Sequence, residues 1–374
     1  MEHHHIADNR QQRKLARTGE EDGFEPLTSL DINSPTDFDE LAQSMKNTSF
    51  GGRTLGEAVD VLYEMFTDPE VFVVGTFSGA MTPAKMGLLI CEMIDRGMIN
   101  AVVSTGALMT HGMVEGFGMN HFKYKFGQMN DRDLYQKGYD RIYDTLELEK
   151  NLDDLEELLD KVLKRVEPGA VINSRILNEK VGEYLNEILK PDQRAILKSA
   201  FLRKVPVYIP AFSDSEYGLD VALYNRKMSL EGKKPLVFSS LSDLEDITDL
   251  YLKQKKLGIF TIGGGVPRNW AQQIPPYLDL IRWRIRDKSN PDSYKSDPED
   301  PYKKRFRYGV RICPEPVHWG GLSGCTYSEG VTWGKFVPSA EGGKFAEVLS
   351  DATIAWPIIL KAVIQRMDKD KKNE

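Results

Sequence analysis

In the stretch Gly330-Val331-Thr332-Trp333-Gly334-Lys335-Phe336, a lysine follows Trp-Gly inside an otherwise apolar run. A lysine that must lose its proton near neutral pH needs such a setting, because desolvation disfavours the ammonium form. The neutral amine can then attack a polarised carbon as a nucleophile. A cation can also lie over the indole of Trp333, and Glu329, four residues earlier, places a carboxylate near the same slot. Taken alone, the pattern equally fits a surface lysine in a strand.

Other residues with chemical potential follow short apolar runs. Ile259-Phe260-Thr261-Ile262 leads into Gly263-Gly264-Gly265 and then Val266-Pro267. Glycines let the backbone approach a ligand, and a proline opening a helix leaves the other first-turn amides free for a phosphate. This is not the GxGxxG fingerprint, and a tight strand-to-helix turn explains it as well. Val73-Val74 leads into Gly75-Thr76-Phe77-Ser78-Gly79-Ala80-Met81-Thr82-Pro83, and Val102-Val103 into Ser104-Thr105-Gly106-Ala107. Three such turns together suit a dinucleotide, which needs close backbone contact at several points. Asp214, in Pro210-Ala211-Phe212-Ser213-Asp214, either caps the next helix or binds a cation. His3-His4-His5 reads as a polar terminal tail, and no other His, Cys, Asp or Glu set has metal-ligand spacing, so no metal is expected.

The elements that must position these residues alternate. Strands are expected at Val71–Gly75, Ala101–Ser104, Val205–Ile209, Leu236–Phe238, Leu257–Ile262, Tyr308–Ile312 and around Ala346–Leu349. Helical spacing of apolar residues lies between them at Lys85–Asp95, Leu241–Lys255 and Trp270–Ile285. That order implies an α/β fold, a mainly parallel sheet with helices on both faces. The leucine-bearing stretch Asp133–Val166 reads as an inserted amphipathic helix, and Asp287–Arg307 as a surface loop. Residues 1–25 and 368–374 read as polar tails around one domain spanning 26–367.

Composition narrows the function classes. With 41% apolar residues in 374, the chain can bury a large core, and no run approaches the roughly 20 apolar residues of a membrane span. Formal charge −7 argues against nucleic acid and favours the approach of cationic small molecules. Cys91, Cys313 and Cys325 form no CxxC pair, which suits the reducing cytoplasm.

The block Ser328-Glu329-Gly330-Val331-Thr332-Trp333-Gly334-Lys335, together with Gly263-Gly264-Gly265-Val266, Pro210-Ala211-Phe212-Ser213-Asp214 and Asp351-Ala352 in the same order, resembles the deoxyhypusine synthase family from about Thr54 to Met367. The resemblance implies a Rossmann-like, NAD-dependent aminobutyl transferase, a homotetramer with sites at subunit interfaces. Such an enzyme oxidises spermidine and passes its four-carbon fragment through a lysine imine to an acceptor amine, either a protein lysine or a small amine. By position, the resemblance makes Lys335 the imine-forming residue, Trp333 the wall of the polyamine slot and Glu329 the partner of an ammonium group. Asp214 falls near the nicotinamide, and Ser78, Thr82, Thr105, Gly106, Gly263, Gly264, Ser323, Asp351 and Ala352 fall at NAD contacts.

The sequence also departs from the family pattern. Asn269 stands where the family has a catalytic histidine, and an amide positions an amine by hydrogen bonds but cannot trade protons near pH 7. Leu219 and Leu322 replace two aspartates that clasp spermidine, with Asp220 one place away from the first. His111 replaces a glutamate beyond Thr105 and is a candidate for the missing acid/base, or a structural residue of its helix. A homospermidine synthase-like or other NAD-dependent amine enzyme, and a non-catalytic NAD-binding relative, stand as alternatives.

Overall fold

The computed structural model describes residues 19–286 and 300–373. The histidine triplet, most of the N-terminal tail and residues 287–299 of the expected loop lie outside them. The chain begins with a helix pair, α1 (Phe38–Lys46) and α2 (Phe50–Thr67). Then come β1 (Val71–Phe77), α3 (Gly87–Asp95), β2 (Ala101–Ser104), α4 (Gly106–Gly116), β3 (Phe122–Lys123), α5 (Asp131–Gln136), β4 (Tyr139–Ile142) and β5 (Thr145–Leu148). The middle of the chain supplies α6 (Glu149–Leu163), β6 (Val171–Ile172), α7 (Ser174–Ile188), α8 (Ile196–Arg203), β7 (Val207–Tyr208), α9 (Glu216–Leu230), β8 (Val237–Phe238) and α10 (Ser240–Leu252). The last part holds β9 (Lys256–Ile262), α11 (Gly265–Ile281), β10 (Phe306–Ile312), α12 (Tyr327–Thr332), β11 (Lys344–Val348) and α13 (Ala352–Asn373).

Six strands form a wholly parallel sheet in the order β11-β10-β9-β1-β2-β7. Their side chains are buried almost without interruption, as expected of a parallel sheet covered on both faces. On one face Trp356 of α13 stacks on Phe77 at 5.7 Å between ring centroids and lies 6.1 Å from Phe260. On the other, Ile274 and Leu278 of α11 belong to a buried cluster with Tyr208, Tyr251, Phe306 and Phe336. Parallel pairing puts all six carboxyl ends on one edge. The chain builds β1, β2 and β7 outward in one direction and then returns to lay β9 on the other side of β1. The order reverses between β1 and β9, and in open α/β sheets ligands bind beyond the strand ends at such a point.

Three expectations change. Asp133–Val166 is not one helix: its first part completes α5 and then forms a hairpin, β4 with β5, joined to β3. Tyr143 takes the left-handed conformation (φ 52°) in the turn between the two strands. The segment at 236–238 is a strand, but it pairs with β6 outside the main sheet, and Val237 is exposed. Residues 368–373 are not a loose tail. They continue α13, where Lys369 pairs with Asp37 at 2.9 Å and Arg366 one turn earlier pairs with Asp39 and Asp60, both at 2.7 Å. Within the expected loop, Phe306 and Arg307 already belong to β10, and Asp300 pairs with the buried Arg282.

Removing the indole that joins β1, β9 and α13 leaves a void in the densest part of the core. Trp356→Ala is expected to cost ~3–5 kcal/mol in urea unfolding, with the slope of the transition preserved.

Candidate active site

The position of Lys335 is set by how α12 ends. Thr326 caps its start, accepting from the Glu329 amide at 3.1 Å. At its end the amide of Gly334 donates to Val331 O and that of Lys335 to Gly330 O, both at 3.0 Å, the pattern of a Schellman stop. That stop requires a left-handed residue, and Gly334 supplies it with φ 68°. Gly330 is required for a different reason: a Cβ there would lie 2.5 Å from Phe336. Phe336 is buried against Phe306, and Lys335 O accepts from the Phe306 amide at 3.0 Å, which fastens the segment to the start of β10. The lysine follows Trp-Gly because the glycine turns the chain and the phenylalanine anchors it.

Lys335 is half-buried, and its Nζ donates to Oδ1 of Asn269 at 3.2 Å and lies 6.0 Å from the Trp333 ring centroid. Burial is the main influence holding its ammonium below the usual lysine range, and the positive charge of Arg268 adds to it. Cys325 and Glu329 act in the opposite direction. These groups line a cleft of about 240 Å³, closed by Gln272 and Leu322. Trp333 and Glu329 stand at its exposed side.

Arg268, unassigned by sequence reasoning, carries much of this geometry. It is buried on α11, and its guanidinium donates to Cys325 O at 2.8 Å and Ser323 O at 3.4 Å. Arg311 on β10 donates to the same two carbonyls and pairs with Glu347 at 2.5 Å. The other oxygen of Glu347 accepts from the Tyr327 amide at 2.7 Å, at the start of α12.

The crevice between β1 and β9 is built from four of the expected residues. Phe77 and Ile262 end their strands in register, so Ser78 and Gly263 emerge side by side. Ser78 Oγ accepts from the Gly264 amide at 2.9 Å. A Cβ on Gly264 would lie 2.5 Å from Ser323 Cα, so only glycine lets that loop close down. Thr105 and Gly106 sit at the end of β2, the strand next to β1. Thr105 caps α4, and a Cβ on Gly106 would collide with Ser215 Oγ from the end of β7. Ser215, not Asp214, caps α9 at 3.2 Å, which leaves the Asp214 carboxylate exposed at this edge. Thr82 is fully buried and donates its hydroxyl to Leu108 O at 2.9 Å. Asp351 accepts from the amide and hydroxyl of Thr353 at the start of α13, where Ala352 is buried.

Other expected groups lie elsewhere. His111 is not among the residues lining the Lys335 cleft; its Nδ1 is 2.6 Å from Oε2 of Glu147. Asp220 does not line the cleft either. Burial first, and then Glu156 and Glu216, push its carboxyl up to about 6. Leu219 is exposed on α9, whereas Leu322 borders the cleft. Sequence reasoning also passed over His121 and Glu147, whose separations of 10 and 36 residues from His111 carry no recognisable spacing.

The deoxyhypusine synthase family model matches residues 40–363. The chain belongs to the deoxyhypusine synthase family. It is 32% identical over 320 residues to the probable deoxyhypusine synthase 2 of Archaeoglobus fulgidus, covering 86% of this chain and 96% of that one. It is 29% identical to the deoxyhypusine synthase-like protein of Chlorobaculum parvum, over 85% and 84% of the two chains. The crystal structure of a candidate deoxyhypusine synthase from Entamoeba histolytica shares the fold, with TM-score 0.55 at 13% identity over 91% of this chain and 97% of that one. Asn269 and Leu322, two positions where the sequence is expected to depart from the family pattern, line the same cleft as Lys335.

The contact between Gly264 and Ser323 is backbone against backbone and cannot relax by a side-chain rotation. Gly264→Ala is expected to lose ~1–3 kcal/mol in chemical unfolding. Gly51→Ala, with nothing within 4 Å of the new methyl, is expected to be neutral or slightly stabilising.

Proposed function

We propose that this chain is an NAD-dependent aminobutyl transferase, which oxidises a polyamine such as spermidine and passes its four-carbon fragment through Lys335 to an acceptor amine. The observation that carries the reading is the placement of Lys335. Its amine is half-buried, lies beside an indole and an uncharged amide, and is held below its usual pKa by burial and Arg268. Such an amine is neutral more of the time at physiological pH than an exposed lysine and can add to a carbon–nitrogen double bond.

Ser78, the amides that open α11 at Gly264 and Gly265, and the Ser323 loop form a close-approach turn at the topological switch point, which fits a dinucleotide. Thr105, Gly106 and Asp214 extend the same edge. NAD bound there would supply the hydride acceptor that oxidation of a donor amine needs, and the hydride donor that the final reduction needs. The protein's own residues do the rest. Trp333 lies against the methylene chain, and Glu329 pairs with an ammonium group at the mouth of the cleft. Lys335 adds to the oxidised donor carbon, the released amine departs with the former nitrogen, and the fragment stays on Nζ as an imine until an acceptor amine displaces it. Asn269 Oδ1 orients Nζ but cannot take its proton, so the transfer uses water or the substrate amines.

Leu322 favours a donor that differs from the family's at one end. An ammonium beside that leucine loses the carboxylate partner that offsets its desolvation. The acceptor is either a protein lysine or a small amine, as in a homospermidine synthase. Among the described residues no helix is long and apolar enough to cross a membrane, in keeping with action in the cytoplasm. Exposed Leu219, Leu223 and Leu230 along α9 suit a self-associating surface of a homotetramer.

Incubation with NAD and a panel of diamines and polyamines, followed by borohydride, is expected to leave a four-carbon amine adduct on Lys335 in peptide mass spectrometry. The adduct requires NAD and is lost in Lys335→Ala. NAD binding without an adduct or NADH absorbance from any amine overturns the transferase reading in favour of a non-catalytic NAD-binding protein. Leu322→Asp is expected to lower KM for a triamine by roughly tenfold, the scale of one charged hydrogen bond.

A further inference from the structure

His111, His121 and Glu147 come from α4, the residue before β3, and β5. The pairing of β3 with β5 sets Phe122 opposite Leu146, so the next pair along the ladder is His121 with Glu147. Both side chains are 1% exposed and meet His111, 13% exposed, on the neighbouring helix. The rings of the two histidines lie 6.1 Å apart at 66°.

Contacts within the cluster account for only part of it: His111 Nδ1 lies 2.6 Å from Oε2 of Glu147. His121 Nε2 is 3.5 Å from Glu147 Oε1, beyond the usual 2.7–3.2 Å for a nitrogen donor. Nδ1 of His111, Nε2 of His121 and Oε1 of Glu147 are buried without a well-formed hydrogen bond. Buried polar atoms this close together and this poorly hydrogen-bonded call for a further partner.

We propose that His111, His121 and Glu147 form a binding site for a divalent cation of the zinc class, with their ligand atoms all within 4.8 Å of one another. Two imidazoles and a carboxylate form one of the ligand sets used by zinc enzymes, and bonds of about 2.0–2.1 Å place tetrahedral ligand atoms about 3.3 Å apart. Closing the set on an ion requires His111 and Glu147 to part from 2.6 Å and the rest to draw in. A fourth position remains for water or a small ligand.

Lys85 gives the proposal a distinctive consequence. Its Nζ, on a half-exposed side chain, lies 2.9 Å from Nδ1 of His121 and 3.8 Å from Glu115. A metal on Nε2 leaves the proton on Nδ1, so Lys85 must release that nitrogen and turn to Glu115. Lys85 therefore competes with the metal, and its removal favours binding.

The test uses the full chain with His3→Ala, His4→Ala and His5→Ala, because that triplet would itself bind metal. After treatment with a chelator, Co²⁺ is titrated and followed by its visible absorption. Zn²⁺ retained after dialysis is then counted by mass spectrometry. The expected result is one ion per chain, with cobalt displaced by zinc. His121→Ala and Glu147→Gln should each weaken binding by at least ~10-fold, the lower bound for losing even an outer-shell partner. Far-UV circular dichroism checks that both variants fold. Lys85→Ala, at an exposed position that does not govern folding, should tighten binding. Failure of the folded parent chain to take up a stoichiometric ion overturns the proposal. So does equal uptake by folded Glu147→Gln, or weaker binding in Lys85→Ala.

Discussion

Two guanidinium groups converge on one pair of carbonyls, and the geometry around Lys335 depends on it. Arg268 from α11 and Arg311 from β10 both donate to Ser323 O and Cys325 O. Only Arg311 has a carboxylate partner, Glu347, and the same carboxylate holds the first amide of α12. The loop that closes over Gly264 and the helix that ends at Trp333 are thus fixed by one buried network. Arg268 carries its charge with no carboxylate hydrogen-bonded to it, and that charge reaches Lys335. The interaction that shapes the loop also keeps the lysine amine more often neutral. A low-dielectric setting makes both effects stronger than they would be in water.

The network explains why the cleft sits at the edge of the sheet. Parallel strands deliver Ser78, Thr105, Asp214, Gly263, Ser323 and Asp351 to one side. The reversal between β1 and β9 opens the crevice there. Residues that look like ligand contacts divide according to what their side chains already do. Ser78 and Gly264 shape the crevice, while Thr82 and Asp351 serve the packing and ends of helices.

Much of this was legible in the chain. Short apolar runs rich in β-branched residues marked β1, β2 and β9 because a buried parallel sheet demands them, and the small-residue turns marked the ends of those strands. The Trp-Gly-Lys block singled out Lys335, but its setting needed the fold. What local patterns could not carry was partnership across space. Val237 and Phe238 looked like any other strand, and nothing nearby says that they pair with β6. A leucine period suggested one long helix through 133–166, although Tyr139–Ile142 and Thr145–Leu148 pair as a hairpin. Arg268 was visible beside Asn269, but its role lies in two carbonyls 55 and 57 residues away. His111 was noticed as a replaced residue, while Glu147 and His121 gained meaning only through the β3–β5 ladder.

The central claim is that the fold makes Lys335 an amine poised for attack, and its ionisation tests this most directly. Lysines would be labelled competitively with acetic anhydride across pH, with Lys335 followed by peptide mass spectrometry. The account predicts that Lys335 titrates below exposed lysines, which ionise near about 10.4, and lower still in Glu329→Gln, because Glu329 opposes the shift. Titration of Lys335 together with the surface lysines, unmoved by Glu329→Gln, would contradict it.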